Sequence, residues 1–293
     1  MYEFNDNLNL TYRAGIDWYN ERNNAQSNKN GVNFNAAIFG FYNTWDNNVS
    51  IWDHFVALGG NYNLTNDERL GVTFTAGATS RSREYSRLGV ASQGQIVFGL
   101  MAHGNFSNQS PIQAYSKQNI LGVFGEATFD WDNYAFLTLS GRKDWVSNFI
   151  NNSRFYPSVS ASFLPTAAFE GFKSASGKGL NYLKLRAGLG NSAGFTGGYP
   201  TTTPVDQVTQ VNGGAIGPIT INSVNDFRAN PDLKPELVSE FEVGFDSKFW
   251  DNRVNLNVSW FDRQTKDLIV FTPLSPSSGF TSTQTNIGKV EGD

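Results

Sequence analysis

The sequence predicts an all-β protein, more specifically an antiparallel transmembrane β-barrel segment. Three observations favour this fold class. Apolar and polar residues alternate along much of the chain, which is the pattern of strands with one apolar and one polar face. The alternating segments run for about 11 to 13 residues, about twice the usual length of a strand. Short turns alternate with long polar connections, as they do in outer-membrane barrels.

Composition excludes several other classes of protein. Only 16% of the 293 residues are charged, compared with roughly 25% in soluble proteins. The net charge is −4 and no basic run occurs, so nucleic acid is not an expected partner. The absence of cysteine removes disulfides and thiolate metal sites. The longest apolar run, Ile96–Ala102, is far shorter than the roughly 20 residues that a transmembrane helix needs.

The alternation predicts about ten strands in one domain that covers residues 1–293. In one of them Leu183, Leu185 and Ala187 alternate with Lys184 and Arg186. Eleven residues at about 3.3 Å each, tilted by about 45°, rise roughly 25 Å, which is the height of the apolar band of a membrane barrel. The predicted strands are 8–19, 50–63, 69–80, 118–130, 134–145, 154–164, 181–190, 237–249, 254–265 and 281–290.

The connections predict two different rims. Short turns are expected at 63–68, 131–133 and 250–253, and long polar loops at 20–49, 81–117 and 191–236. Pro157 falls within a predicted strand and is expected near its end, because proline lacks the amide that a ladder needs. The first ten residues contain neither a basic segment nor a hydrophobic stretch, so they are not a secretory signal, and the precursor of an exported protein would be longer.

Two side-chain patterns favour the membrane over a soluble β-sandwich or barrel with an aromatic interior. Glu240, Glu242, Asp246 and Lys248 fall on one face of a strand, where we expect them to face a hydrated lumen. Aromatic residues cluster near strand ends, as in the girdles at the membrane interfaces. These aromatic residues are Trp18, Tyr19, Trp131, Tyr134, Trp145, Phe249, Trp250, Trp260 and Phe261.

Several segments carry a family resemblance. The motif Asn230-Pro231-Asp232-Leu233-Lys234-Pro235-Glu236, followed by 249–256 and 260–269, resembles the barrel of TonB-dependent outer-membrane receptors, in which such a motif ends a large extracellular loop and enters a long strand. The two prolines and a capping Asp232 are expected to fix an extended re-entry into the barrel. Segments 122–129, 155–160, 180–188 and 286–288 are similar to the SusC/RagA-type branch in particular.

The resemblance implies an importer of glycan or peptide fragments in the outer membrane of a Bacteroidetes-type Gram-negative cell. A SusD-like surface lipoprotein would cover the barrel, and TonB would supply energy by acting on a plug domain. No segment of this chain resembles the plug, and about ten strands of an implied 22 are present, so the expectation is a middle portion of a barrel embedded in outer-membrane lipid. The alternatives are a siderophore or cobalamin receptor, and a secreted soluble carbohydrate-binding or adhesive β-module.

No residue pattern predicts catalysis, a cofactor or a metal site. His54 and His103 lack metal-ligand spacing, and no histidine is suitably placed to activate the serines of 158–162. Contact with an oligosaccharide or peptide substrate is more plausible, because aromatic residues in the loops can stack on sugar rings beside Asn and Gln side chains. The candidate substrate-binding residues are Trp45, Trp52, Phe195 and Tyr199.

Overall fold

The computed structural model describes residues 1–32, 38–151, 153–172, 179–195, 197, 201–203, 205–211 and 218–292. This part of the chain contains fourteen strands and a four-residue helix, Pro165–Ala168. The strands are β1 (Tyr2–Asn5), β2 (Leu8–Ser27), β3 (Phe41–Asn63), β4 (Leu70–Gln95), β5 (Phe106–Trp131), β6 (Ala135–Val146), β7 (Ser153–Phe163), β8 (Leu180–Gly194), β9 (Val205–Val211), β10 (Pro218–Val224), β11 (Phe227–Arg228), β12 (Glu236–Phe249), β13 (Val254–Pro273) and β14 (Ser282–Gly292).

Twelve of these strands form one sheet, in which neighbours in sequence are mostly neighbours in space. The order is β1-β2-β3-β4-β5-β6-β7-β8-β12-β13-β14-β11, while β9 and β10 form a separate antiparallel hairpin. The short β11 pairs in parallel with the start of β14. The chain forms two compact units, of which unit 1 comprises 1–12, 55–79 and 120–293 and unit 2 comprises 13–54 and 80–119. The all-β prediction is confirmed.

The prediction of long loops at 20–49 and 81–117 was wrong in large part. β2, β3, β4 and β5 are 20, 23, 26 and 26 residues long and extend deep into both segments. These extensions lack an apolar face, so they show no alternation of hydrophobicity. Polar side chains instead link the strands within unit 2: Asn20 Nδ2 donates to Asn48 Oδ1 at 2.7 Å, and Arg22 pairs with Asp46 at 3.2 Å. The predicted loop at 191–236 likewise contains the β9–β10 hairpin.

The register of unit 1 separates an apolar face of the sheet from a polar one. Phe241 of β12 lies opposite Leu189 of β8, and Val243 lies between Ala187 and Trp260 of β13. These apolar side chains share one face of the sheet, and Phe241, Val243 and Trp260 expose 43%, 42% and 54% of their surface. Such a continuous apolar face is unfavourable in water and suits hydrocarbon.

Short turns connect the strands of unit 1 at the predicted places. Asp132 and Asn133 adopt positive φ between β5 and β6, which is a conformation that Asn and Asp tolerate well. The turn between β3 and β4 contacts the turn between β5 and β6. Arg69 of the first turn pairs with Asp132 of the second at 2.6 Å, and its guanidinium lies 5.5 Å from the ring centre of Trp131. Hydrogen bonding to the Asp132 carboxylate raises the pKa of Arg69.

Pro157 lies in the middle of β7, opposite Gly141 of β6, and not near a strand end. The ladder between β7 and β8 covers only 159–163 on the β7 side, so no β8 ladder bond is lost at Pro157. Asn191 of β8 connects the two strands beyond that ladder. Its backbone amide donates to Ser158 Oγ at 3.2 Å and its side-chain amide donates to the Pro157 carbonyl at 2.6 Å.

Among the residues that the structure describes, no helix has the length and apolar composition that crossing a bilayer would require.

The exposed apolar face yields a testable prediction. Val243→Arg is expected to lower the free energy of unfolding in lipid by about 2 to 4 kcal/mol, because it places a charge in hydrocarbon. The measurement is urea unfolding of the full-length receptor in lipid vesicles. Ser140→Arg is the matched control, since Ser140 lies on the polar face opposite Glu126. Equal effects of the two substitutions would contradict the assignment of the faces.

Candidate functional site

The polar face of unit 1 is built around Arg186 of β8. Arg186 forms ion pairs with Glu242 and, at 3.8 Å, with Asp246, both of β12. Its guanidinium also donates to Ser259 Oγ of β13 at 2.5 Å. The side chain crosses the sheet over Gly244, where an added Cβ would lie 3.2 Å from the guanidinium carbon and 2.6 Å from a backbone oxygen. The absence of a side chain at this glycine therefore lets one arginine join three strands.

The other predicted lumen charges lie on the same face and also have partners. Arg263 of β13 pairs with Glu240 at 2.5 Å, and Asn257 donates to the Asp246 carboxylate. Lys248 lies 5.4 Å from the ring centre of Tyr182. The structure thus brings together Glu240, Glu242, Asp246 and Lys248, which remain predicted to face a lumen.

A second charged cluster lies further along this face and was not predicted from the sequence. Arg142 of β6 pairs with Asp144 at 2.8 Å and donates to Thr79 Oγ1, also at 2.8 Å. Tyr156 of β7 donates its hydroxyl to the Asp144 carboxylate. Asp144 is only 5% exposed. An added Cβ at Gly122 would lie 2.2 Å from Asp144 Oδ1, so this glycine makes room for the carboxylate.

An open cavity of about 600 Å³ lies on the polar face. Hydroxyl and charged groups line it, and its floor includes Gly188 and Gly190, which have no side chains. No histidine is among the described residues that line it. The cavity therefore offers hydrogen bonds and charges to a ligand rather than an activated nucleophile. Its polar lining includes Ser140, Ser158, Ser160, Glu240, Glu242 and Arg263.

The 230–236 motif closes the end of a long connection against the sheet. Leu233 is fully buried, and Pro235 is less than 2% exposed. The motif's turn is capped by Asn230 rather than by Asp232: Asn230 Oδ1 accepts from the Asp232 amide at 3.0 Å, and its carbonyl accepts from the Leu233 amide at 3.3 Å. Asn230 is favoured here because a short amide side chain can bond to the backbone two residues on.

Hydrogen bonds attach the same motif to neighbouring strands. Asn286 of β14 accepts from the Lys234 amide at 2.9 Å and donates to the Lys234 carbonyl at 2.8 Å. Glu236 Oε1 accepts from the Ile269 amide of β13 at 2.7 Å. We call residues 230–236 with Asn286 the clasp. Together, these hydrogen bonds fix the point at which the chain re-enters the sheet.

Three of the four aromatic candidates for substrate contact lie within the described residues. Trp45 and Trp52 are seven residues apart on β3, so alternation places them on opposite faces, and Trp52 is 48% exposed. Phe195 packs edge to face on Phe149, with ring centres 6.2 Å apart. Tyr199 lies outside the described residues. All four remain predictions.

The two histidines have separate environments. His103 lies between two hydroxyl groups, with Nε2 2.9 Å from Thr44 Oγ1 and Nδ1 2.8 Å from Ser92 Oγ, and its ring is tilted against that of Tyr42 at 4.6 Å. His103 begins a short 3-10 helix before β5, whereas His54 lies on β3. Within the described ranges, no group of three or more His, Cys, Asp or Glu residues is arranged to hold a metal ion.

Comparison with protein families identifies the fold's relatives. The family model described as "TonB dependent receptor-like, beta-barrel" matches residues 2–292. The chain belongs to the TonB-dependent receptor family. It is therefore part of a Gram-negative outer-membrane receptor, as the resemblance of the 230–236 motif implies.

Curated relatives are much longer than this portion of the receptor. TonB-dependent receptor P3 of Formosa agariphila is 28% identical over 194 residues, which cover 64% of this chain and 18% of the relative. TonB-dependent receptor P39 of the same organism is 24% identical over 98% of this chain and 27% of its own length. The chain thus spans about a fifth to a quarter of these relatives.

Solved structures show the same fold. The RagAB peptide transporter matches with a TM-score of 0.82 and 22% identity, over 99% of this chain and 31% of that one. BauA, the ferric preacinetobactin receptor from Acinetobacter baumannii, matches with a TM-score of 0.53 and 14% identity, over 98% of this chain and 39% of that one. The fold of this chain is more similar to that of RagAB than to that of BauA, as the two TM-scores show.

The clasp provides a second prediction. Asn286→Ala removes the hydrogen bonds to the Lys234 amide, the Lys234 carbonyl and the Asp267 carbonyl. It is expected to cost about 1 to 3 kcal/mol locally, because three backbone groups lose this partner. Trypsin cleavage after Arg228 of the full-length receptor should therefore become several-fold faster. Asn255→Ala in β13 is the control and should leave the rate unchanged. An unchanged rate in Asn286→Ala would show that the clasp does not hold this segment.

Proposed function

We propose that the chain supplies part of the wall of a TonB-dependent importer that takes up glycan or peptide fragments with a SusD-like surface lipoprotein. The observation that carries the proposal is the likeness to the RagAB peptide transporter, with a TM-score of 0.82 over 99% of the chain. Family membership supports an outer-membrane receptor. Because the RagAB neighbour is a peptide transporter, peptide is favoured over glycan as the fragment class.

The polar face suits passage of hydrophilic fragments without covalent chemistry. Arg186 and Arg263 pair with carboxylates of the neighbouring strand β12, so these charges neutralise one another locally. Serine hydroxyls and glycine backbone beside the cavity can exchange hydrogen bonds with a peptide or a sugar as they do with water. In this proposal a plug outside the chain receives energy from TonB, and the wall segment guides the fragment.

The predicted substrate-binding residues differ in how accessible a substrate would find them. Trp45 is half-buried on the strand face opposite Trp52, and Phe195 is engaged by Phe149. Trp45 is therefore the candidate that we propose as part of a substrate-facing surface. Trp52 shares its strand face with the exposed Val56, which favours contact with lipid or with the membrane interface for that ring.

A siderophore or cobalamin receptor is the second candidate. Its support is the weaker likeness to the ferric preacinetobactin receptor, with a TM-score of 0.53. The exposed apolar face and the family membership exclude the secreted soluble β-module that the composition also allowed.

Cell fractionation followed by uptake assays tests the proposal. An antibody against residues 191–236 should detect a heat-modifiable outer-membrane band far larger than 32.4 kDa. A strain lacking the receptor gene should lose uptake of a labelled peptide or oligosaccharide mixture and keep uptake of ferric siderophore and cobalamin. Loss of siderophore or cobalamin uptake alone would favour the second candidate, and a soluble band of 32.4 kDa would refute both.

A further inference from the structure

Unit 2 contains a half-buried arginine that other side chains hold in one position. Arg87 of β4 donates from Nε to Asn47 Oδ1 of β3 at 2.8 Å. Its guanidinium carbon lies 5.9 Å from the ring centre of Trp45 and 5.8 Å from that of Tyr85. Two aromatic rings and one hydrogen bond therefore fix the plane of the guanidinium.

The acceptor of that bond is itself buried and held by further hydrogen bonds. Asn47 is only 7% exposed. Its Nδ2 donates to Glu21 Oε2 at 3.0 Å, and its Oδ1 accepts from the Tyr85 hydroxyl at 3.0 Å as well as from Arg87. The carboxylate of Glu21 thus sets the orientation of the amide, and the amide sets the position of Arg87.

Gly89 brings β4 close enough to β3 for this arrangement. An added Cβ at Gly89 would lie 2.2 Å from the Thr44 carbonyl oxygen and 2.6 Å from Trp45 Cβ. Any larger residue would push Trp45 away from the strand and from Arg87. The site therefore depends on a glycine two residues after the arginine.

Unlike seven other arginines, Arg87 has no carboxylate partner among the described residues. Among the described residues no Asp or Glu oxygen lies within 4.0 Å of its nitrogens, and its two Nη groups have no hydrogen-bond acceptor there. Glu21, the acidic residue of the cluster, contacts Asn47 instead. Seven arginines of the described chain do pair with a carboxylate: Arg22, Arg69, Arg81, Arg142, Arg154, Arg186 and Arg263.

We propose that Arg87 binds a carboxylate group of the transported fragment. The two Nη groups lie in one plane and can donate parallel hydrogen bonds to both oxygens of one carboxylate. The two aromatic rings hold the guanidinium in this orientation before the ligand binds. Such a carboxylate is carried by a peptide terminus or acidic side chain and equally by a uronic acid of a glycan. This inference rests on the proposed function and defines the chemistry of its substrate.

The partners of Arg87 share a strand face. Trp45 and Asn47 are two residues apart on β3, so alternation places them on the same face. Arg87 lies against both, which gives the cluster one polar surface within unit 2.

Binding of matched acidic and neutral probes to the detergent-purified full-length receptor tests the assignment. The probes are tetra-alanine, tetra-alanine amide, tetragalacturonate and its methyl ester, measured by titration calorimetry. One free acid should bind at least about tenfold more tightly than its neutral counterpart, since charged hydrogen bonds are stronger than neutral ones. A preference within the alanine pair identifies a peptide carboxylate, and a preference within the galacturonate pair identifies a uronate.

Substitutions at Arg87 locate the preference. Arg87→Met should abolish it, and Arg87→Lys should keep part of it because the charge remains while the fork is lost. Arg22→Gln removes an exposed arginine paired with Asp46 and should leave the preference unchanged. Heat-modifiable mobility on gels confirms that each variant is folded.

Three results would overturn the inference: equal binding of acid and neutral probes, an unchanged preference in Arg87→Met, and binding of none of the four probes. The uptake phenotype of the deletion strain is measured separately and decides the proposed function. Normal import of neutral fragments with no acid preference would thus reject the carboxylate site and retain the importer.

Discussion

The structure depends on a sheet whose two faces meet different surroundings. Backbone groups are satisfied by long antiparallel ladders, because hydrocarbon supplies no hydrogen bonds in their place. Once the ladders are set, alternation directs apolar residues such as Val243 and Trp260 to one side and charged residues such as Glu242 to the other. Charged residues on the polar side then pair with one another. Arg186 pairs with Glu242 of the neighbouring strand, and Arg142 pairs with Asp144 of its own strand.

Glycines on the polar face determine where those partners can meet. Gly244 lets Arg186 lie across three strands, and Gly122 leaves space for the carboxylate of Asp144. Gly89 plays a corresponding part in unit 2, where it allows the close approach to Trp45. A long cationic side chain flattened against a sheet needs open space beside it, and glycine supplies this at the cost of local strand propensity.

The clasp connects the sheet to its longest connection. Leu233 is buried while Asn230 and Asn286 supply the polar contacts, so one short motif combines apolar anchoring with hydrogen bonding. Because both roles fall on neighbouring residues, the motif is recognisable in the sequence. Arginines such as Arg186 pair with carboxylates of the sheet, whereas Arg87 has no carboxylate partner among the described residues and is the one that we propose binds a ligand.

The sequence by itself determined the all-β class, the two strand faces, the short turns and, through residues 230–236, the family, because each is encoded by neighbouring residues. It missed the polar extensions of β2 to β5, since strands without an apolar face leave no alternation to detect. Only the tertiary structure decided the partners of Arg186 and Arg87. Arg87 and Asn47 are forty residues apart, and their contact depends on the register of two paired strands, which side-chain alternation alone does not specify.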